Sequence, residues 1–179
     1  MRTRLIAAVL AATTVLTSAC ASDEEKPLTD AQGRWVDAFC GAFVPGLKAG
    51  KALQASDAAN PAAVKTAYLK LVNDNAAAFT DAEKKLKELG PPSDDLKDLH
   101  DRLVTYVGES ARSYEAAKAP VTALEANDGF WDAAEKALTD TSQVSNPEQL
   151  RATFDTLEKS PKYSDAIGKA QACDELKAG

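Results

Sequence analysis

Two stretches of this chain carry apolar residues at three–four spacing, one on each side of Gly90-Pro91-Pro92-Ser93. In the first, Val64, Tyr68, Leu71, Asn75, Ala78, Ala82, Leu86 and Leu89 share one face of a helix over about 61–89. In the second, Leu96, Leu99, Leu103, Tyr106, Val107, Ser110, Tyr114, Ala117, Val121 and Leu124 do the same over about 94–127. At 1.5 Å per residue each helix runs on the order of 40–50 Å. Gly90 is a stop, the prolines make a turn, and Ser93 caps a new start whose positive end suits Asp94 and Asp95. So short a turn folds the two helices into an antiparallel hairpin. Residues equidistant from it are expected to meet: Leu86 with Leu96, Phe79 with Leu103, Tyr68 with Tyr114. The rest of the chain must then cover the apolar stripes of that hairpin.

Alanine is near a fifth of the residues, and runs of β-branched or aromatic residues are missing. That composition predicts helix throughout. Asn60-Pro61, Asn146-Pro147 and Ser160-Pro161 each read as an N-cap followed by proline at the first helical position, and Gln149 adds a capping-box feature to the second. A first helix starts near Thr29 or Asp30 with Trp35, Phe39, Ala42 and Leu47 in phase, and Cys40 and Phe43 alongside. Pro45 has no amide to bond Gly41, so this helix kinks or breaks there, and Gly46 and Gly50 weaken its second half. Pro120 should bend the second hairpin helix near its end. Shorter helices are expected over Phe130–Thr139, Pro147–Glu158 and Tyr163–Leu176, with loops at 127–129 and 139–145. Glu83–Lys87, Lys84–Glu88, Lys97–Asp101 and Asp98–Arg102 are opposite charges four apart, each worth a few tenths of a kcal/mol. The expected fold is an all-α antiparallel bundle in one domain, 29–179, built on the long hairpin.

The N-terminus reads as a leader. Arg2 and Arg4 precede a 12-residue apolar run from Leu5 to Leu16, too short to span a bilayer as a helix, and Ser18 and Ala19 are small residues before a cut. Leu16-Thr17-Ser18-Ala19-Cys20 resembles the lipobox of bacterial lipoproteins, with Thr17 where leucine is usual and Leu16 one position earlier. The resemblance implies removal of residues 1–19 and a diacylglycerol thioether on Cys20, often with a further amide-linked acyl chain such as palmitate. Two or three chains anchor stably where one binds marginally. It further implies a protein held on the extracytoplasmic face of the cell membrane. A plain secreted protein with a chance cysteine is the alternative. Residues 20–28, acidic from Asp23 to Glu25, read as a flexible tether. The remaining 160 residues suit one domain with a real core, and their 19 basic and 27 acidic residues leave a net charge near −8. Such a chain has no electrostatic footing on nucleic acid or on an anionic bilayer surface.

With Cys20 assigned to lipid, Cys40 and Cys173 remain. An even cysteine count in an exported domain points to a disulfide joining the first helix to the last; two separate buried thiols are the alternative. The early Trp35-x-x-x-x-Cys40 is similar to that of small, alanine-rich, exported helical lipoproteins of high-GC Gram-positive bacteria, a group with no general activity to carry over.

The chain offers no recognisable catalytic motif. His100 is the only histidine, and the residue three before it is Lys97, so neither a Glu-x-x-His dimetal pattern nor a two-histidine zinc helix exists. Asp94, Asp98 and Asp101 beside His100 read as a solvated face paired to Lys97 and Arg102, with a weak cation site as the other reading. No serine lies in a Gly-x-Ser-x-Gly setting, and no glycine-rich loop cradles phosphate. The expectation is a non-enzyme with no cofactor and no metal.

Two features point to binding. Asn75 and Ser110 are polar residues on apolar seams, either lining a small cleft or supplying a buried hydrogen bond that fixes helix register. Phe130 and Trp131 follow a turn, either exposed as a contact or buried as a cap on the core. Tyr68, Tyr106 and Tyr114 read as core aromatics with hydroxyls reaching outward. The leading expectation is a membrane-tethered interaction module for another envelope component. The alternative is a small-ligand-binding lipoprotein with a pocket near Asn75, Ser110 and the tyrosines, and an envelope hydrolase comes last.

Overall fold

The computed structural model describes residues 29–144 and 148–177. Within them the chain is all helix and turn: α1 Asp30–Gly41, α2 Val44–Gln54, α3 Pro61–Leu89, α4 Lys97–Ala123, α5 Phe130–Asp140, α6 Glu148–Lys159, α7 Pro161–Lys169 and α8 Gln171–Lys177. Cys20, its lipobox and the tether lie outside the described residues, as do Asn146, Pro147 and the side chain of Gln149.

The hairpin of α3 and α4 is the axis of the fold. Asn60 starts α3 as expected, its Oδ1 accepting the Ala63 amide at 3.2 Å. Gly90 ends it at φ 68°, ψ −174°, a region essentially restricted to glycine. Ser93 does not cap α4 through its side chain. A single 3-10 turn, Asp94–Leu96, comes first, and the Ser93 hydroxyl pairs with Tyr163 Oη at 3.0 Å.

The register differs from the expected one at Phe79 and Glu83, whereas Tyr68 and Tyr114 lie close to one another as expected. Phe79 stacks on Tyr114, centroids 5.9 Å apart, and the Glu83 carboxylate lies against Gly108. Both partners lie farther from the turn than equidistance places them. Side chains tilt toward their own helix N-terminus, so those of α3 lean away from the turn and those of α4 lean back to meet them. The far end of the hairpin is also shorter than expected. α4 stops at Ala123, with Leu124 extended at φ −65°, ψ 143°. Pro120 has already removed one helical bond, and Lys65 of α3 donates to the Thr122 and Leu124 carbonyls at 2.9 and 2.5 Å, closing the end from outside the helix.

α1 lies between the hairpin and the C-terminal helices. Thr29 and Gln32 form a capping box, and the Gln32 Nε2 also donates to the Pro92 carbonyl at 2.9 Å, fixing the start of α1 on the hairpin turn. Pro45 breaks the helix: α1 ends at Gly41 and α2 begins at Val44. Trp35, Val36, Phe39 and Cys40 are fully buried. Trp35 stacks on Phe39 at 5.8 Å, and Phe39 lies 4.6 Å from the Phe154 ring of α6. Leu86, Leu99, Leu103, Leu157 and Ile167 fill the space around them. A second core forms at the other end of the hairpin from Leu53, Tyr68, Val72, Ala117, Val121, Phe130 and Ala134.

The predicted last helix is two. α7 ends at Ala170, extended at φ −76°, ψ 120°, and α8 follows at once. Tyr163, Ile167 and Cys173 are all buried. At about 100° per residue, one straight helix would aim Cys173 well away from the other two, and Gly168 lowers the cost of stopping. The break lets Cys173 bond Cys40, the Cα atoms 5.0 Å apart, so the first and last helices are joined as expected. Ser160 precedes Pro161 without a side-chain cap bond. Lys87–Glu83 and Lys97–Asp101 are ion pairs at 2.7 and 2.5 Å on exposed faces, where screening leaves them small.

The disulfide spans 133 residues. A loop of that length gives roughly 5 kcal/mol in the chain-entropy model, with measured values commonly about 2–5. Replacing both cysteines by serine should lower the stability by that order in guanidinium unfolding at pH 7. An unchanged midpoint would show that the bond adds nothing to the packing of α8 on α1.

Candidate functional site

Tyr106, Ser110, Ser113 and Tyr114 stand at i, i+4, i+7 and i+8 on α4 and therefore share one face. They form one wall of a cleft of about 280 Å³. Leu138 and Thr139 from the end of α5, Ser142 and Val144 from the segment after it, and Phe79 from α3 complete the lining. That volume is just below the roughly 300–1,000 Å³ typical of small-molecule sites.

The segment after α5 is pinned to α4. Ser113 Oγ donates to the Glu109 carbonyl of its own helix at 2.8 Å and accepts the Gln143 amide at 2.7 Å. Arg112 Nε donates to Gln143 Oε1 at 3.3 Å. Thr139 donates to the Glu135 carbonyl at 2.9 Å, and the Ser142 amide bonds the Thr139 carbonyl at 3.1 Å. These bonds hold the 139–144 backbone beside α4, leaving the cleft between them.

The described lining residues include no Asp, Glu, Lys, Arg or His. Burial raises the pKa of Tyr114, and the neighbouring Tyr106 hydroxyl adds to the effect, so Tyr114 stays a neutral phenol at physiological pH. A serine nucleophile needs an adjacent base, and none lines this cleft. Its chemistry is that of neutral hydroxyls beside aromatic and aliphatic faces, which suits binding.

The residues singled out from sequence do not gather in one place. Ser110, 3% exposed, lies in the cleft with Tyr106 and Tyr114. Asn75 is not in its lining. Its Nδ2 donates to the Leu71 carbonyl at 2.9 Å, and its amide lies where a side chain on Gly46 of α2 would stand. Asn75 is therefore a packing device that brings α2 close to α3. Phe130 and Trp131 divide: Phe130 is 1% exposed in the second core, whereas Trp131 is 42% exposed, the one exposed large apolar side chain among the described residues. Both rings meet Tyr68 edge-on at 5.9 Å. Burial, then the Glu135 carboxylate and Tyr114, push the Tyr68 pKa up to about 12.

Asp94, Asp98 and Asp101 are exposed, as a solvated face requires, while His100 beside them is buried. It is 5% exposed, and its Nδ1 accepts the Trp35 indole N–H at 3.0 Å. That bond requires the tautomer with the proton on Nε2. Only Lys97 and Asp101 of the expected stripe are seen paired, and no group of three His, Cys, Asp or Glu among the described residues is placed to hold a metal ion.

Ser113, Thr139, Ser142, Leu138, Val144 and Phe79 were not singled out from sequence. Ser113 was within reach, three residues after Ser110 on the same helical face. The loop contribution had no periodic signal to mark it. Searches against protein-family models, curated proteins and solved structures find no match to this chain.

Two predictions test the polar contacts. Gly46→Ala should destabilise the protein by about 1–3 kcal/mol, because the new methyl displaces the buried Asn75 amide from Leu71. In an Asn75→Ala background that cost should largely vanish; additive penalties in denaturant unfolding would refute the contact.

Burial lowers the His100 pKa below its usual 6.5; Lys97 adds to this, and Asp101 opposes it. The neutral form is favoured on folding, so its contribution is full above pH 6.5 and is lost as pH falls through the depressed folded value. Between pH 7.5 and pH 5 the wild type should lose more stability than His100→Gln, whose amide oxygen accepts the indole without titrating. Equal losses would sink the assignment.

Proposed function

We propose that this chain is a membrane-tethered, extracytoplasmic lipoprotein that acts by binding a small ligand in the Ser110 cleft, without catalysis. The cleft carries the reading. It brings Ser110, Tyr106 and Tyr114, three hydroxyl-bearing residues, to one concave site. The sequence supports the tether through the lipobox resemblance at Leu16–Cys20 and the acidic stretch after it. Among the described residues no helix is long and apolar enough to cross a membrane, so attachment would fall to lipid on Cys20.

A second reading, an interaction module for another envelope component, is favoured by Trp131 at the start of α5. One half-exposed indole on Tyr68 is a small contact beside the several-element apolar patch that a partner surface ordinarily presents. The cleft therefore leads.

The test uses the whole chain extracted in detergent, with indole as a small neutral ring probe. Saturation-transfer NMR should detect saturable binding through the rings of Tyr106 and Tyr114. Ser110→Leu, which fills the cleft from its buried wall, should abolish the signal while circular dichroism stays helical. Binding unchanged by Ser110→Leu, or no binding of indole or of any other neutral ring, would refute the site. Cys20→Ala should move the protein from the membrane fraction to the soluble one, and persistence at the membrane would refute the tether.

A further inference from the structure

We infer that the cleft between α4 and the end of α5 takes an uncharged, polyhydroxylated ring, chemically a neutral sugar, with its C–H face against the aromatic side of the cleft. The inference rests on the small-ligand reading and names its class. Three observations carry it.

The first is the charge of the lining. The described wall is four aliphatic hydroxyls, two phenols, and the apolar Phe79, Leu138 and Val144, with no ionisable acid or base besides the phenols. Arg112 is exposed, gives its Nε–H to Gln143 and is not part of the lining. A carboxylate, phosphate or ammonium group would lose water here and gain no opposite charge, a cost that neutral hydrogen bonds do not offset. Burial holds Tyr114 neutral, so it is a donor and does not become an anion that would attract a cation.

The second is the hydrogen-bonding character. A hydroxyl is both donor and acceptor, and its proton rotates to suit its partner. Ser110, Ser142, Tyr106 and Tyr114 surround the space with groups of that kind, while Ser113 and Thr139 use their protons on the Glu109 and Glu135 carbonyls. A partner bearing several hydroxyls matches such a wall in either direction of each bond. A purely apolar ligand would leave the buried Ser110 hydroxyl without water and without exchange, which costs affinity.

The third is shape. Phe79 and Tyr114 stack with an interplanar angle of 18°, so a ring from each of two helices stands at the wall of the cleft. Tyr106, one turn before Ser110 on α4, adds a third ring to the lining. An aromatic face next to hydroxyls matches an amphipathic ring with C–H groups on one side and hydroxyls at its edge. A cleft of about 280 Å³ holds roughly one such ring.

The experiment measures saturation-transfer NMR on the same detergent-extracted whole chain. It compares neutral methyl glycosides of common hexoses with the corresponding uronic acid and hexosamine, and with indole. At least one neutral glycoside should bind saturably. Its uronate and amino counterparts should bind at least tenfold more weakly. Tyr114→Phe keeps the Phe79 stack and removes one hydroxyl; it should weaken the glycoside about fivefold, the loss of one hydrogen bond, and weaken indole less than that. A longer oligosaccharide of the same sugar distinguishes the source: tighter binding than the monomer points to an envelope glycan, equal binding to a free sugar, and both support the class. Indole binding with no glycoside binding would overturn the sugar assignment while the cleft stands as a site. Equal binding of charged and neutral sugars would overturn it as well. Absence of every probe would overturn the cleft reading and this inference with it.

Discussion

The burial of one broad face of α1 is the constraint on which the rest of the structure depends. Trp35, Val36, Phe39 and Cys40 fall within an arc of about 140° on a helix barely three turns long, and all are fully excluded from water, while Arg34 and Asp37 behind them are exposed. So wide an apolar arc needs cover from two directions. The hairpin supplies one, and α6, α7 and α8 supply the other. The Cys40–Cys173 bond closes the second layer over the first. Gln32 on Pro92 and Tyr163 on Ser93 tie both layers to the same hairpin turn. The polar anchors thus converge where the chain reverses, and the apolar core fills the space behind them.

The cleft is a consequence of that arrangement. α6 must reach back to place Phe154 against Phe39 and Leu157 in the main core, while α5 belongs to the second core at the other end of the hairpin. The connection between them passes α4 at the junction of the two cores. Ser113 fixes it there through the Gln143 amide. Tyr114, packed against both cores, marks the same level. The side chains facing the cleft on α4 are serines and tyrosines.

The parts of the fold legible in the sequence were those governed by local chemistry. The bounds of α3, the Asn60 cap, the Gly90 stop and the break at Pro45 follow from which residues lack an amide, accept one, or tolerate positive φ. The register of the hairpin was not legible. It depends on a 3-10 turn that Ser93 leaves without a side-chain cap because its hydroxyl bonds Tyr163, seventy residues away. The end of α4 depends in the same way on Lys65, and the division of the last helix on the need to bury three side chains at once. The partner of His100 was not legible for a related reason. Its sequence neighbours are charged, but its bonding partner is Trp35 on another helix.

The site divides along the same line. Polar residues on an apolar seam are a local signal, and Asn75 and Ser110 both carried it, yet they do different things. Asn75 faces Gly46, where the missing side chain admits its amide, and its bond to Leu71 completes a close helix–helix contact. Ser110 faces the described part of the connection after α5, with Ser142 and Val144 across the cleft from it. The difference lies in what stands opposite, which a seam pattern does not encode. A leucine at position 110 would continue the apolar stripe and join the two cores. Serine there, with Ser113 one turn on and tyrosines on both sides, keeps the junction open and polar. It also keeps it neutral, in a chain with 27 acidic against 21 basic residues. An acidic helical surface repels anions and attracts cations, so a site free of charge within it selects for ligands that the surface does not otherwise hold.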